Sequence, residues 1–382
     1  MDFNLTPEQA SFRDSLAKVV AKDYSFERRR KIIAEKARFD KDIWALFAEQ
    51  GLLALPFDPT YDGLGGSAVD MYLVMEAFGR ALVVEPYLSC IVMAGSLLRH
   101  GASDAQKADH LPMIGRGERL FAVACHEPQS RYNLSRVSTT ASSRKGGYVL
   151  AGQKSVVYGA PSSDYLLVSA RTGGAAGDRG GVSLFVVPIG ASGVSREDYA
   201  TFDGMRASEL TFENVSVGRD SLVGEEGEAA PLLERMMNEA LAAVSAELTG
   251  AMEALNDRSL EHCRTRVAFE QPLSKFQVLQ HRLVDMRVSY EHGAAISMAA
   301  ARALDANHAV NATASAAMAL AGREADFVGK NAIQLHGAIG ITEDLDIGHY
   351  FRRIATVRSL FGDYDYHVRR YLKHRAFGGA LS

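Results

Sequence analysis

The chain has 382 residues, 47% of them hydrophobic and 23% charged, the composition of a globular protein too long for one ordinary core, so two or three domains are expected. A formal net charge of -4 gives no electrostatic reason to expect nucleic acid or an anionic membrane surface as a partner. Cys90, Cys125 and Cys263 are scattered, odd in number and without CxxC spacing, which argues against a disulfide framework and a zinc site; no metal is expected.

The opening Met1-Asp2-Phe3-Asn4-Leu5-Thr6-Pro7-Glu8 lacks a basic stretch followed by an apolar one, and no apolar run reaches the roughly 18 residues that span a bilayer. A cytoplasmic location without membrane contact is therefore expected. Thr6-Pro7-Glu8 predicts a helix start: an N-cap, a proline at the first helical position and an acidic first turn. Helical spacing continues through Ile43, Leu46, Phe47 and Leu52, with breaks at Asp62-Gly63-Leu64-Gly65-Gly66 and Gly101-Ala102-Ser103-Asp104. From about Phe121 the texture changes to short alternating runs. Tyr148–Gly152, Tyr165–Val168, Ser183–Val187 and Leu210–Val215 predict strands, and their spacing predicts a small β-barrel or sandwich. The glycine-rich piece from Thr172 to Gly181 predicts a hairpin loop. Helical texture returns near Ala229, and the alanine-rich stretch from Ala294 to Ala321 predicts helices packed closely on several sides. The expected domains are 1–120 (helical), 121–228 (β) and 229–382 (helical).

Several motifs in this order carry a resemblance. Gly63-Leu64-Gly65-Gly66-Ser67 and Glu76-Ala77-Phe78-Gly79-Arg80 fall in the first region, and Asn214 to Gly224 closes the second. Arg266-Val267-Ala268-Phe269, with Leu273 and Phe276-Gln277, gives R-x-x-F. Gln334-Leu335-His336-Gly337-Ala338-Ile339-Gly340 is similar to Q-x-H-G-G-x-G, with Ala338 in place of the second glycine. Together they resemble the acyl-CoA dehydrogenases over the whole chain. The C-terminal half resembles the small subunits of two-component bacterial enzymes such as pimeloyl-CoA dehydrogenase. The implied fold class is α+β: an N-terminal helical domain, a central β-barrel domain and a C-terminal helical bundle.

The resemblance implies a flavoprotein oxidoreductase of lipid or acid catabolism that removes two hydrogens from the α and β carbons of an acyl-CoA thioester, with FAD as hydride acceptor. A carboxylate in a dry pocket takes the α-proton, and hydrogen bonds to the thioester carbonyl stabilise the developing enolate. It also implies an oligomer, a tetramer of like or unlike subunits, in which one chain reaches a neighbour's FAD. Arg266 suits an anionic pyrophosphate, and Phe269, three residues on, is expected to share its helical face and cover the adenine edge. Phe276, Gln277, Gln334, Gly337 and Ala338 complete the implied cofactor set. His336 within this motif is expected to orient backbone rather than transfer protons. In the β region Gly152-Gln153-Lys154 matches the family, but Val156 stands where a flavin-stacking tryptophan is usual and Tyr158 where a threonine is usual. The segment after Cys125-His126-Glu127-Pro128 also departs from the pattern.

The family's two base positions fall on Phe361 and Ala240. The candidate substitutes are Asp363, which on a continuous helix points about 200° away from Phe361, and Glu239, next to Ala240. Glu247, between apolar neighbours, is expected to be buried and paired. Two readings follow: a partner subunit that contributes cofactor contacts and no base, or a self-sufficient dehydrogenase using Glu239 or Asp363. A flavin oxidase or monooxygenase on the same fold is a further alternative.

Overall fold

A computed structural model describes residues 4–34 and 39–376. Residues 1–3, 35–38 and 377–382, parts of the expected helical domains, lie outside that range. The chain gathers into two compact units, one within Met1–Lys31, Ser67–Val83 and Leu241–Ser382, the other within Ile32–Gly66 and Val84–Ala240.

The first unit is helical. Helix α1 (Pro7–Asp23) starts where the N-cap predicts: Thr6 Oγ1 accepts from Gln9 N, the Gln9 side chain answers Thr6 N, and Pro7 opens the first turn. Helix α2 (Phe26–Ala34) begins here too. Helix α4 (Ala68–Ala81) is capped by Ser67, and both of its first amides, on Ala68 and Val69, donate to Asp305. Helix α7 (Ala229–Thr265) crosses α4 backbone to backbone: a Cβ on Gly79 would lie 1.9 Å from the Glu247 carbonyl oxygen, and one on Gly250 1.9 Å from that of Glu76. Only glycine permits such an approach. Helices α8 (Gln277–Asp305) and α9 (Val310–His336) form an antiparallel alanine-lined pair. Ala300 and Ala317 are buried against Ala242, the close packing that their composition predicts. Helix α10 (Asp346–Leu360) and helix α11 (Tyr364–Ala376) pack on α9.

The second unit holds helix α3 (Lys41–Glu49), a buried π-helical stretch Leu88–Ala94 running into α5 (Gly95–Gly101), α6 (Asp104–Gly115) and the sheet. The strands are β1 (Phe121–Ala124), β2 (Thr140–Arg144), β3 (Gly147–Tyr158), β4 (Tyr165–Arg171), β5 (Val182–Pro188), β6 (Val194–Ala200), β7 (Arg206–Gly218) and β8 (Leu222–Val223). Their order is β6-β7-β3-β2-β4-β5-β8, with β1 parallel to β4. All four predicted strands are present, and the predicted glycine-rich loop joins β4 to β5 as an antiparallel hairpin. The β-barrel or sandwich expected here takes the form of one eight-stranded sheet, with β6 and β8 at the ends of its strand order among the described residues. It curls around its own core, where Ala124, Leu150, Leu166, Val168, Phe185 and Phe212 meet. Strands β9 (Val267–Ala268) and β10 (Gln271–Pro272) make a separate two-stranded hairpin between α7 and α8. Among the described residues no helix is long and apolar enough to cross a membrane.

Candidate cofactor and active site

Helix α7 ends at Thr265, and the Arg266 amide is the last to reach back, donating to the His262 carbonyl at 2.9 Å. The chain then turns within two residues: Phe269 and Glu270 both have left-handed backbone, φ 52° and 67°. The Leu273 amide closes the hairpin on the Arg266 carbonyl. The helical face expected to join Arg266 and Phe269 is therefore absent, because R-x-x-F is split between a helix end and a turn. Tight turns of this kind are normally made by Asn and Gly, so a phenylalanine there is strained. Its ring is 87% exposed, and its edge meets Phe276 at 6.1 Å between centroids. Arg266 is exposed and has no ion-pair partner among the described residues. Gln277 opens α8, also exposed. A free guanidinium beside a solvent-facing aromatic on a strained turn is costly for the fold alone and is suited to binding an anionic, ring-bearing ligand.

The second predicted segment stands beside the first. Helix α9 ends at His336, whose ring stacks on His262 with centroids 4.3 Å apart. His336 is buried, and its Nδ1 lies 2.8 Å from the Ala332 carbonyl. Both imidazoles have lowered pKa values, chiefly through burial; for His262 the neighbouring His336 and Arg266 add to it. They are neutral near pH 7 and act as a spacer tying the hairpin base to the Gln334 segment, in keeping with the orienting role expected of His336. Gln334, Gly337 and Ala338 are exposed. Gly337 has φ 66°, and nothing lies within 4 Å of where a Cβ would project, so the backbone itself is open to a ligand.

In the β unit Glu127 organises the 125–139 loop. It accepts from Lys154 Nζ at 2.7 Å and from the amides of Ser138 and Thr139. Burial raises its pKa, but Lys154 and these amides outweigh that and hold the carboxyl below its usual value. Just beyond, Val156 sits on a bulge of β3 with φ 51°, 43% exposed, its amide donating to Glu209. A β-branched residue in left-handed backbone is a genuine outlier. His126 nearby is half-buried, and its pKa is pushed down to about 4, by desolvation and then by Lys154. The local fold is thus strained and organised as at a binding site, yet Val156 offers no ring for a flavin to stack on. Taken by themselves, Arg266, Phe269 and the open Gly337 backbone have the chemistry to meet an anionic, ring-bearing group such as the pyrophosphate and adenine of FAD.

The two positions where the resemblance places the family's base are apolar and buried: Phe361 is 4% exposed and Ala240 0%. Glu239 is held by Arg99, by His100 Nε2 at 3.1 Å and by Arg235 Nε at 3.5 Å. Burial alone would raise its pKa; His100 and Arg99 reverse this and keep it ionised and engaged. Helix α10 stops at Leu360 and α11 starts at Tyr364, so Phe361 and Asp363 share no helix, contrary to the angular expectation. Asp363 is exposed and caps α11, its Oδ1 accepting from the Tyr366 amide at 2.8 Å. Glu247 is buried and bound by Arg353 through both carboxylate oxygens, as the sequence predicts. Sequence reasoning missed this last partner and the His262–His336 stack, since neither follows from local spacing.

Comparison with known proteins follows the same lines. The acyl-CoA dehydrogenase N-terminal, middle and C-terminal domain models match residues 6–118, 122–215 and 231–374. A 3-(aryl)acrylate reductase of Clostridium sporogenes is 28% identical over 350 residues, 90% of this chain and 93% of the relative. The fold is shared with the FAD complex of PigA (TM-score 0.92, 23% identity, 99% of this chain and 100% of that one). It is shared also with the ChsE4-ChsE5 complex from Mycobacterium tuberculosis (TM-score 0.88, 23% identity, 98% and 99%). With three successive domain models matched in order along nearly its whole length, the chain belongs to the acyl-CoA dehydrogenase family of FAD-dependent oxidoreductases.

Proposed function

We propose that this chain is one subunit of a heteromeric acyl-CoA dehydrogenase, contributing cofactor contacts to an assembly whose proton-abstracting carboxylate comes from another chain. One observation carries the reading: both positions where the family places its base are filled by buried apolar side chains, Phe361 and Ala240. The neighbouring carboxylates are committed elsewhere, Glu239 to Arg99 and His100 and Asp363 to a helix cap.

Bound FAD would supply the hydride acceptor for α,β-desaturation of an acyl-CoA thioester. Arg266 would hold the pyrophosphate with a charge that no carboxylate among the described residues competes for, Phe269 would cover the adenine edge, and Gln334 and the Gly337 backbone would add polar contacts. Because these groups point into solvent, the flavin they meet is best supplied by a partner surface. Phe361 and Ala240, each buried, have no group that could accept a proton at the positions where the resemblance places a base. The shared fold of a two-protein complex, ChsE4-ChsE5, is in line with such an arrangement.

The test is biochemical. The chain purified alone is expected to be colourless or to lose its FAD, and Glu239→Gln and Asp363→Asn are expected to leave acyl-CoA oxidation by the assembled enzyme within about twofold, since a true base variant loses orders of magnitude. A yellow, active single chain that either substitution inactivates would establish the self-sufficient alternative instead.

A further inference from the structure

The segment after Pro128, where the chain leaves the family's pattern, has an organisation that the function above does not use. It is pinned at both ends by buried groups. Glu127 is buried and accepts from the Ser138 and Thr139 amides, while Ser130 Oγ accepts from the Glu127 amide at 2.9 Å and donates to the Glu127 carbonyl. From β4, the buried Arg171 holds the far end, its Nε donating to the Val137 carbonyl at 3.0 Å and its Nη2 to the Ser135 carbonyl at 2.6 Å. Between these pins the chain makes two consecutive turns. The Asn133 amide donates to the Ser130 carbonyl at 3.0 Å, and the Arg136 amide to the Asn133 carbonyl at 3.1 Å. Arg131 is the first central residue of the first turn and has φ 47°, a position at which turns of this kind use glycine. A long charged side chain there works against the turn.

We infer that Arg131 and Arg136 form a binding site for a phosphate-bearing ligand on the β unit. Both are exposed, and neither side chain has a hydrogen-bond or ion-pair partner among the described residues. Glu127, the carboxylate that organises the loop, is already matched by Lys154 at 2.7 Å and claims neither charge. Five residues span about 17 Å when extended; the two turns shorten that reach, so two guanidinium arms can close on one group. A phosphate suits them better than a carboxylate. Each guanidinium is a planar fork of donors, and a carboxylate offers one edge to one fork, whereas a phosphate has three acceptor oxygens and can take two. Because the loop is held from both ends before any ligand arrives, little ordering is lost on binding. Two sources supply such a group: the CoA carrier of a thioester, and a free nucleotide such as ADP. The site uses none of the residues assigned to FAD, and its test needs no turnover.

Isothermal titration calorimetry on the full chain, with CoA, ADP and inorganic phosphate as probes, tests the site. CoA binding by the wild type is expected to weaken as salt rises from about 50 to 300 mM. Arg131→Gly is expected to fold at least as well as wild type, since glycine suits the turn, and to weaken CoA binding about tenfold through the loss of one charge-assisted contact. Arg136→Gln is expected to have an effect of the same size. Arg131→Lys, which keeps the charge without the fork, should retain only part of the affinity. Arg144→Gln, at an exposed arginine closing β2, is the control for general surface charge and should leave binding unchanged. A loss confined to CoA assigns the site to the thioester carrier, and a parallel loss for ADP and phosphate assigns it to any phosphate monoester. The site is overturned if no probe binds, if the Arg131→Gly, Arg136→Gln double variant binds as wild type does, or if Arg144→Gln loses as much. It is overturned too if FAD displaces the probe, which would make both arginines part of the flavin site. Arg266→Ala is expected to spare CoA binding while weakening that of FAD, so the two assignments stand or fall separately.

Discussion

Phe269 sets fold against function on one side chain. Its backbone is left-handed, as is that of Glu270, and its ring is almost wholly in solvent. Phe269→Asn, a residue that tolerates this turn, is expected to stabilise the protein by about 0.5–1 kcal/mol by relieving strain, and to weaken FAD binding by removing the aromatic surface. A higher unfolding temperature together with a higher dissociation constant would bear this out; a loss of both would show that the ring packs for the fold. The R-x-x-F pattern pointed to two residues that are both exposed, but with the wrong local geometry. Neither phenylalanine nor glutamate signals a turn, so spacing alone extends α7 through a position where the chain has already left it. Phe361 and Ala240 were legible because they are substitutions in an otherwise matching pattern. The engagement of Glu239 by Arg99 and His100 was not, since those partners lie far off in sequence.

At the scale of elements, the sheet depends on one buried ion pair. Lys154 on β3 and Glu127 in the preceding loop are 0% and 2% exposed at the side chain, with Ser169 on β4 accepting a second bond from Lys154. Lys154→Met strands the Glu127 carboxylate and is expected to cost about 3–5 kcal/mol, whereas Glu127→Gln with Lys154→Met recovers part of that loss. The pH dependence has a definite sign. The carboxyl of folded Glu127 titrates below its ordinary value, so the pair's contribution is full above the unfolded value and is lost as pH falls through the folded one. Urea midpoints measured from pH 7 down to pH 3 should therefore drop for wild type and change less for the double variant. The strands beside this pair were readable from alternation: β3, β4, β5 and β7 carry the Val, Leu and Phe runs that half-buried strands need. Strand β6, Val194–Ala200, was not readable. It is a largely exposed edge of Ser, Arg, Glu and Asp, and its assignment comes from pairing with β7, which no local pattern encodes.

For the molecule as a whole, the helical–sheet–helical order follows from sequence texture, but the way the N-terminal helices join the C-terminal ones does not. The α4 start is bound by Asp305, and the Asn4 carbonyl by Arg302, contacts across most of the chain length that periodicity cannot foresee. The same limit applies to assembly, which the outward-facing cofactor groups bring to the fore. If Arg266, Phe269 and Gln334 meet a flavin lodged on a partner, FAD binding and subunit association are linked, and each must strengthen the other by the same factor. Free FAD at about 100 times its dissociation constant would then add about 2.7 kcal/mol to the assembled state. Sedimentation or light scattering should show subunits separating at higher protein concentration without FAD than with it, and dilution of the holoenzyme should release flavin in step with dissociation. In Arg266→Ala the effect of FAD on association should shrink while apo-assembly is unchanged. A self-sufficient chain behaves otherwise: flavin occupancy stays independent of protein concentration, because the whole site travels with one subunit.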